Sequence, residues 1–241
     1  MRISCGTTWA KRWPLEQAVD LVVRAGYSAI DLTFTGEAEM DAALAVMRQN
    51  ALAINSVTVE WPGHESSDSL LFRALNWSRK AGVSAWTVVT GERRQGSIQE
   101  LASRLQCVLA ACAGMNCAVI NRLGRRIEQL EDFRELFVRV ADPRLRVVID
   151  TFEFHRASVD PRAAVDELAD RADRLILADA IGCRQVPLGE GEMNVASILA
   201  HARDRGGINS LSLVPQVTSA SNAVEELAAE RHRLEALCAA I

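Results

Sequence analysis

Acidic and imidazole side chains follow an apolar, β-rich segment in the second half of the chain. The segment Leu145–Asp150 ends in a carboxylate, and Glu153 and His155 come shortly after it. Proton transfer next to a carbonyl group needs such acids and bases close together, with shifted pKa values. Alternatively, Asp150 only caps the next element, and Glu153 and His155 are solvated. Because a carboxylate that closes a buried strand needs a partner, we predict that Asp150 is functional.

Glu60 and His64 form a second pair, in the run Glu-Trp-Pro-Gly-His. A carboxylate and an imidazole can serve as acid and base or as two metal ligands. An exposed proline-glycine turn that carries polar residues is the alternative. His201 and His232 lie within helical patterns among Arg and Glu residues and are interpreted as surface residues.

Eight β-rich segments are predicted to position these residues. Several are nearly continuous apolar runs, which are typical of parallel strands covered on both faces, whereas half-solvated antiparallel strands alternate apolar and polar residues. The segments are 2–6, 28–32, 52–59, 84–90, 117–121, 145–150, 173–178 and 209–214.

Amphipathic helical patterns follow the strands. One runs from Leu15 to Gly26, with apolar residues at three- and four-residue spacing and a glycine suited to a C-cap. Ser97 and Glu100 form a capping box before another. The remaining patterns lie at about 41–50, 69–82, 131–140, 161–169, 195–205 and 223–238. Eight alternating βα units predict a single (β/α)8 TIM barrel over residues 1–241.

An open doubly wound sheet is the alternative architecture. Its first strand leads into a glycine-rich turn that binds a pyrophosphate. Here Gly6 is followed by Thr7, Thr8 and Trp9, so the further glycines are absent. We therefore predict the closed barrel.

The carboxyl ends of the barrel strands are the expected place for chemistry, because the βα loops converge there. Among the polar residues at these ends, Asn121, Arg122 and Arg184 are candidates to bind substrate oxyanions or carboxylates. Glu60 and Asp179 are candidates for further substrate contacts. The other polar residues at these positions are Thr7, Thr8, Asp31, Thr33, Thr90, Glu92 and Gln216.

Composition and charge favour a small-molecule ligand. The net charge of −4 does not supply the basic surface that nucleic acid requires. No apolar run is long enough to span a bilayer, and no basic-then-apolar leader follows Met1, so we expect no membrane association and a cytoplasmic location. The oligomeric state is left open, with a homodimer as one alternative.

Three stretches carry a resemblance to a known family. They are the helix from Leu15 to Gly26 that leads to Ala29-Ile30-Asp31-Leu32, the strand that ends in Asp150-Thr151-Phe152, and the region from Leu177-Ala178-Asp179-Ala180 to Pro187-Leu188-Gly189-Glu190-Gly191-Glu192. With these, the whole chain resembles the xylose isomerase-like TIM barrels, the sugar phosphate isomerases and epimerases of the AP endonuclease 2 type.

The resemblance implies one divalent metal, held by a Glu, an Asp, a His or Gln and a Glu on strands five to eight. Asn121, Asp150, Ile176 and Val214 occupy these positions here, and only Asp150 matches. One carboxylate and one amide do not hold a hard cation tightly. The chain is therefore interpreted as a divergent member with most metal ligands missing, and we expect no metal cofactor. A relocated Mn, Mg or Zn site is the alternative, built from Glu60, His64, Asp150, Glu153 or His155.

Two functional interpretations follow. The first is an enzyme, an isomerase, epimerase or dehydrating lyase that acts on a small hydroxy-carbonyl compound by metal-independent proton transfer. Asp150 or Glu153 would be its base, and His155 or His64 the acid. The second is a non-catalytic barrel that binds a ligand or a partner. Tryptophans near strand ends favour a binding surface, although core packing is the alternative for most of them; the five are Trp9, Trp13, Trp61, Trp77 and Trp86.

Overall fold

The computed structural model describes residues 1–11, 13–61, 68–112 and 114–241. Eight parallel strands form a closed barrel in the order β1-β10-β7-β6-β5-β4-β3-β2, and β8 and β9 form a separate antiparallel hairpin. The predicted (β/α)8 TIM barrel is confirmed. The strands are β1 (Arg2–Gly6), β2 (Ala29–Thr33), β3 (Ala53–Trp61), β4 (Ala85–Thr90), β5 (Asn116–Ile120), β6 (Leu145–Asp150), β7 (Ala172–Leu177), β8 (Asp179–Ile181), β9 (Arg184–Val186) and β10 (Ser210–Leu213).

Helices cover the outside of the barrel. They are α1 (Leu15–Arg24), α2 (Glu37–Gln49), α3 (Asp68–Lys80), α4 (Ile98–Ala111), α5 (Leu130–Arg139), α6 (Thr151–Arg156), α7 (Pro161–Leu168), α8 (Val195–Arg205) and α9 (Ala223–Ala240). The capping box of Ser97 and Glu100 is present at the start of α4. No helix in the described ranges is both long enough and apolar enough to cross a bilayer.

Helix α6 and the β8–β9 hairpin were not predicted from the sequence. Helix α6 has six residues, too few for an apolar stripe to show a helical period. The strands of the β8–β9 hairpin have three residues each and join through Gly182, which has a φ of 56°. Both elements lie at the carboxyl ends of strands, where they contribute to the rim of the barrel.

The main core lies between the barrel and its helices. Trp61, Trp77 and Trp86 are buried in this core, whereas Trp9 and Trp13 are partly buried and stack edge to face at 5.5 Å between ring centroids. Three of the five tryptophans therefore pack inside the protein and do not form a binding surface.

The interior of the barrel is divided into an apolar and a polar half. Branched apolar residues fill most TIM barrels. Here apolar residues fill only the half of the interior that is formed by β4 to β7. These residues are Val89, Ala118, Ile120, Val148 and Ile176. The other half holds buried polar side chains from six strands: Ser4, Asp31, Ser56, Thr87, Arg174 and Ser212.

A buried ion pair organises the polar half. Arg174 Nη1 donates hydrogen bonds to Asp31 and Ser56, and Nη2 donates to Thr87 Oγ1 at 3.1 Å. Asp31 also accepts from Ser212 Oγ at 2.6 Å, among other donors. Desolvating two charges offsets much of their attraction, so such a pair is weak evidence for stability. This pair therefore calls for a functional explanation.

Candidate active site

A cavity of about 200 Å³ opens at the carboxyl ends of the barrel strands. Its size suits a small molecule, and its position is the one at which TIM barrels carry their active sites. Charged residues from β2, β3, β6, β7, the loop after β5 and helix α6 line it, together with an apolar surface. The charged residues are Asp31, Glu60, Arg122, Asp150, Glu153 and Arg174, and the apolar ones are Val89, Ile120, Phe152, Ile176, Ala178 and Val214.

Asp150 ends β6 and is the N-cap of α6. Its Oδ1 accepts hydrogen bonds from the N–H groups of Phe152 at 3.1 Å and Glu153 at 3.2 Å. The structure shows no hydrogen bond to Oδ2 from the described residues. Oδ1 thus fixes the carboxyl group, while Oδ2 is available to a ligand in the cavity.

The pKa of Asp150 is raised to about 7, chiefly by burial and to a lesser degree by the nearby charge of Glu153. The Glu153 and Phe152 N–H bonds and the Arg122 charge act in the opposite direction. Near neutral pH the group is then present in both protonation states, as a residue that both accepts and donates a proton requires.

Asn121 fixes the backbone of Asp150. Its Nδ2 donates to Asp150 O at 3.0 Å, and its Oδ1 accepts from Asp150 N at 2.8 Å. The side chain thereby continues the β5–β6 ladder by one pair. Asn121 is fully buried and is not among the residues that line the cavity. Its contacts are those of a positioning residue.

We expect Asn121→Ala to destabilise the protein by about 2–3 kcal/mol, because two buried backbone groups of Asp150 lose their partners. Urea unfolding monitored by circular dichroism measures this change. Asn116→Ala, at an exposed position in the same strand, is the control and should change stability little. Equal stability of the two variants would contradict the positioning role.

Glu153 connects α6 to the loop after β5. Its Oε2 accepts from Leu123 N at 3.0 Å, and Oε1 lies 3.1 Å from Arg156 Nη1. Although Glu153 lines the cavity, its charge is therefore compensated by an arginine from its own helix. Of the two carboxylates predicted as the base, Asp150 is the one without a cationic partner at hydrogen-bond distance among the described residues.

The two histidines predicted as acid partners are not placed beside Asp150. His155 Nε2 lies 3.0 Å from Gly182 O and 3.6 Å from Glu192 Oε1, so it contacts the β8–β9 hairpin. It does not line the cavity. His64 lies outside the described residues.

Glu60 and Arg122 meet at the mouth of the cavity, and both line it. Arg122 Nη1 is 3.7 Å from Glu60 Oε1, and the Glu60 side chain is 56% exposed. A loose and solvated pair of this kind can exchange partners when a ligand enters. The guanidinium group of Arg122 is therefore held only loosely at the mouth of the cavity.

Asp179 and Arg184 lie away from the cavity lining. Asp179 is buried and accepts hydrogen bonds from four backbone N–H groups. Their donors are Ala180 at 2.9 Å, Gly189 at 2.9 Å, Gly191 at 3.0 Å and Met193 at 3.1 Å. Arg184 is exposed on β9. Asp179 therefore organises the loop before α8.

Arg174 and Gln185 are among the residues that line the cavity and that sequence reasoning did not single out. Gln185, next to Arg184, donates to Val214 O at 2.7 Å and borders the cavity. Arg174 belongs to the apolar segment Arg-Leu-Ile-Leu and has the same strand parity as Ile176, which points both side chains into the barrel. This parity was the available signal for Arg174, whereas nothing in the local sequence marked Gln185.

The metal positions implied by the family resemblance do not supply a donor set. Asn121 is engaged by the Asp150 peptide, while Ile176 and Val214 present aliphatic surface to the cavity. Among the described residues, no group of three or more His, Cys, Asp or Glu side chains is arranged to hold a metal ion. A hard divalent cation needs several oxygen or nitrogen ligands, so the described residues do not fit one.

No family model matches the chain, and no curated protein sequence matches it. Solved structures do match. The probable 3-DHS dehydratase AsbF from Bacillus anthracis superposes with a TM-score of 0.81 at 16% identity, over 98% of this chain and 99% of that one. A xylose isomerase domain protein from Alicyclobacillus acidocaldarius superposes with a TM-score of 0.79 at 16% identity, over 99% of this chain and 98% of that one. D-allulose 3-epimerase from Methylomonas sp. superposes with a TM-score of 0.80 at 13% identity, over 98% of both chains.

Proposed function

We propose that this chain, which has the fold of the xylose isomerase-like TIM barrels, transfers protons on a small hydroxy-carbonyl compound without a metal ion. The reaction class is isomerisation, epimerisation or dehydration. One observation supports the proposal above the others: Asp150 borders the cavity with one carboxylate oxygen fixed and its pKa raised to about 7.

The proposed chemistry begins at a carbon next to the substrate carbonyl. Asp150 removes a proton from this carbon, and the electron pair moves into the carbonyl to give an enediolate. Arg122 is placed to stabilise the oxygen that becomes negative. The hydroxyl proton on the other oxygen of the enediolate moves to this oxygen. Asp150, now protonated, returns its proton to the former carbonyl carbon, and the new carbonyl forms at the carbon that lost the proton. A single carboxyl group can carry a proton between adjacent carbons on one face, so within the proposed class the site favours isomerisation.

The names of the similar structures agree with the proposed reaction class and do not identify a substrate. Their names describe a probable dehydratase, a xylose isomerase domain protein and a sugar epimerase. Their identities of 13–16% show the fold alone. The proposal for this chain rests on its own residues around Asp150.

Metal independence is part of the proposal because of the side chains that surround Asp150. In a metal-dependent site the cation polarises the carbonyl and acidifies the adjacent C–H bond. Here Ile176 and Val214 leave no lone pairs at two of the four positions. In the proposed reaction Arg122 polarises the carbonyl in place of the cation, and the ionised form of Asp150 removes the proton.

The test is hydrogen exchange in D₂O. Hydroxyacetone, dihydroxyacetone, erythrulose and 2-hydroxycyclohexanone would be incubated with the protein, and loss of the α-hydrogen signal followed by proton NMR. We expect enzyme-dependent exchange with at least one compound, at the same rate before and after dialysis against a chelator. Metal analysis of protein purified without a chelator should give well below one equivalent. A stoichiometric metal whose removal stops exchange would instead establish the relocated metal site.

A ligand-binding barrel without turnover is the second candidate function. The observation that favours it is the arrangement of the predicted acid-base partners: His155 contacts the β8–β9 hairpin, and Glu153 is paired with Arg156. Saturable binding of a compound from the same panel, with no exchange over several days, would support this alternative and contradict the catalytic proposal.

A further inference from the structure

The base of the cavity carries a hydrogen-bond donor that no described residue satisfies. Arg174 is 1% exposed, and its Nε has no hydrogen-bond partner in the described part of the chain. Leaving such a donor unpaired in the interior is unfavourable, because it has lost its bond to water. Arg174 also lines the cavity. A ligand oxygen at this position would restore the missing bond.

Asp31, Arg174 and Ser212 form the floor of the cavity. Each lies two residues before another lining residue, namely Thr33 on β2, Ile176 on β7 and Val214 directly after β10. Two strand residues correspond to about 7 Å, so the floor lies about this far below the rim. Asp150 pairs in register with Ile176 and therefore stands at the upper level. A ligand that reaches both levels has polar groups at two opposite ends.

The charge of the floor is already balanced. Arg174 Nη1 donates to Asp31, whose carboxylate also accepts from Ser212 and Ser56 at 2.6 and 2.7 Å. A ligand carboxylate would bring a second negative charge next to Asp31 without a second cation at the floor. A neutral carbonyl or hydroxyl oxygen accepts the Nε–H bond without that penalty.

One side of the cavity offers no hydrogen bonds to a ligand. Val89, Ile120, Ile176 and Val214 form a continuous apolar wall above the floor. A sugar has a hydroxyl group on almost every carbon, and those that face this wall would be buried without partners. A hydrocarbon edge would instead bury apolar surface against it.

From the floor and the wall together we infer that Arg174 is a substrate-binding residue and that the ligand is a neutral, partly deoxygenated hydroxy-carbonyl compound. One oxygen accepts from Arg174 Nε, the opposite end lies at Asp150, and an unsubstituted hydrocarbon edge packs on the wall. This inference specifies the substrate class of the proposed function and rests on it for the role of Asp150, whereas the predicted binding selectivity can be measured without turnover.

The probe is 4-hydroxycyclohexanone, which has oxygens at both ends of a hydrocarbon ring. D-fructose represents a fully hydroxylated ligand and cyclohexanecarboxylate an anionic one. We expect titration calorimetry and ligand-detected NMR to show binding of 4-hydroxycyclohexanone in preference to the other two. Loss of one hydrogen bond in Arg174→Lys should weaken this binding about tenfold. Arg146→Lys, near the opposite end of the barrel, is the matched control and should bind as the wild type does.

Val214→Thr provides a second variant in which the Arg174–Asp31 pair remains intact. It adds a hydroxyl group to the apolar wall at nearly constant volume, so it should reduce the preference for 4-hydroxycyclohexanone over D-fructose. The inference is overturned if the wild type does not bind 4-hydroxycyclohexanone or prefers D-fructose or the carboxylate. It is also overturned if Arg174→Lys binds 4-hydroxycyclohexanone as tightly as the wild type does, or if Val214→Thr retains the wild-type selectivity. Selective binding without any exchange in D₂O would count against the proposed function alone.

Discussion

Asp150→Asn should slow α-hydrogen exchange by about 10²- to 10⁴-fold, the contribution expected of a positioned general base. An amide cannot take the proton, but its oxygen can still accept the N–H bonds that Asp150 Oδ1 accepts from Phe152 and Glu153. The fold should therefore be retained. Exchange followed by proton NMR measures the rate, and full activity in this variant would exclude Asp150 as the base.

The same substitution should increase stability at alkaline pH. The folded-state pKa of Asp150 is raised from 3.8 to about 7. Between these values the folded state holds a proton that the unfolded state has lost, so stability falls as pH rises through this range. Above pH 7 this loss of unfolding free energy is complete. A pKa shift of about three units sets the upper limit of the loss at about 4 kcal/mol.

Urea unfolding at pH 5 and pH 8 tests this linkage. The wild type should lose stability between the two pH values relative to Asp150→Asn, and the variant should be the more stable of the two at pH 8. Asp160→Asn is a matched control, because Asp160 also caps a helix, with its Oδ1 accepting from Arg162 N at 2.9 Å, but it is exposed and does not line the cavity. If the stability of all three proteins depended on pH in the same way, the pKa of Asp150 would not be raised in the folded state.

Asp179→Asn should destabilise the protein by about 3–5 kcal/mol. One carboxylate oxygen accepts from Gly189 N and Gly191 N, and the other from Ala180 N and Met193 N. Whichever way the amide is oriented, its NH₂ group faces two backbone donors. Thermal and urea unfolding measure the effect, and Glu192→Gln in the same loop is the control.

Gly191→Ala tests the same contact between Asp179 and the loop by changing the loop residue. A β-carbon at Gly191 would overlap Asp179 Oδ1 and approach Ala180 O at 2.6 Å. Both single variants disturb one set of contacts, so the double variant should be less destabilised than the sum of the two. Additive effects would mean that Asp179 does not hold this loop.

The barrel could be predicted from the sequence because the pattern of an apolar strand followed by an amphipathic helix occurs eight times. The predicted segments correspond to the eight barrel strands, with ends that differ by at most two residues. The site was harder to predict because side-chain roles depend on distant partners. Asp150 could be located from the strand it ends, but the use of Asn121 to hold the Asp150 peptide depends on strand pairing that no local pattern records.

Short elements and buried charges account for what the sequence did not reveal. His155 was placed near Asp150 by sequence distance, but α6 carries it toward Gly182. Asp179 stood at a strand end and was interpreted as a ligand contact, although its bonds go to the backbone of the following loop. Arg174 lies in an apolar strand, and the local sequence does not reveal its partner because Asp31 is 143 residues away.

The pairing of β1 with β10 has a consequence for folding during synthesis. Ser4 and Ser212 are 208 residues apart in the chain, and their hydroxyl groups lie 2.9 Å apart in the barrel. Until β10 has left the ribosome, β1 and β7 are unpaired sheet edges, and Asp31 lacks one of its donors. Nascent chains arrested before Ser210 should therefore be open to proteases and dependent on chaperones, and the barrel can close only after β10 has been synthesised.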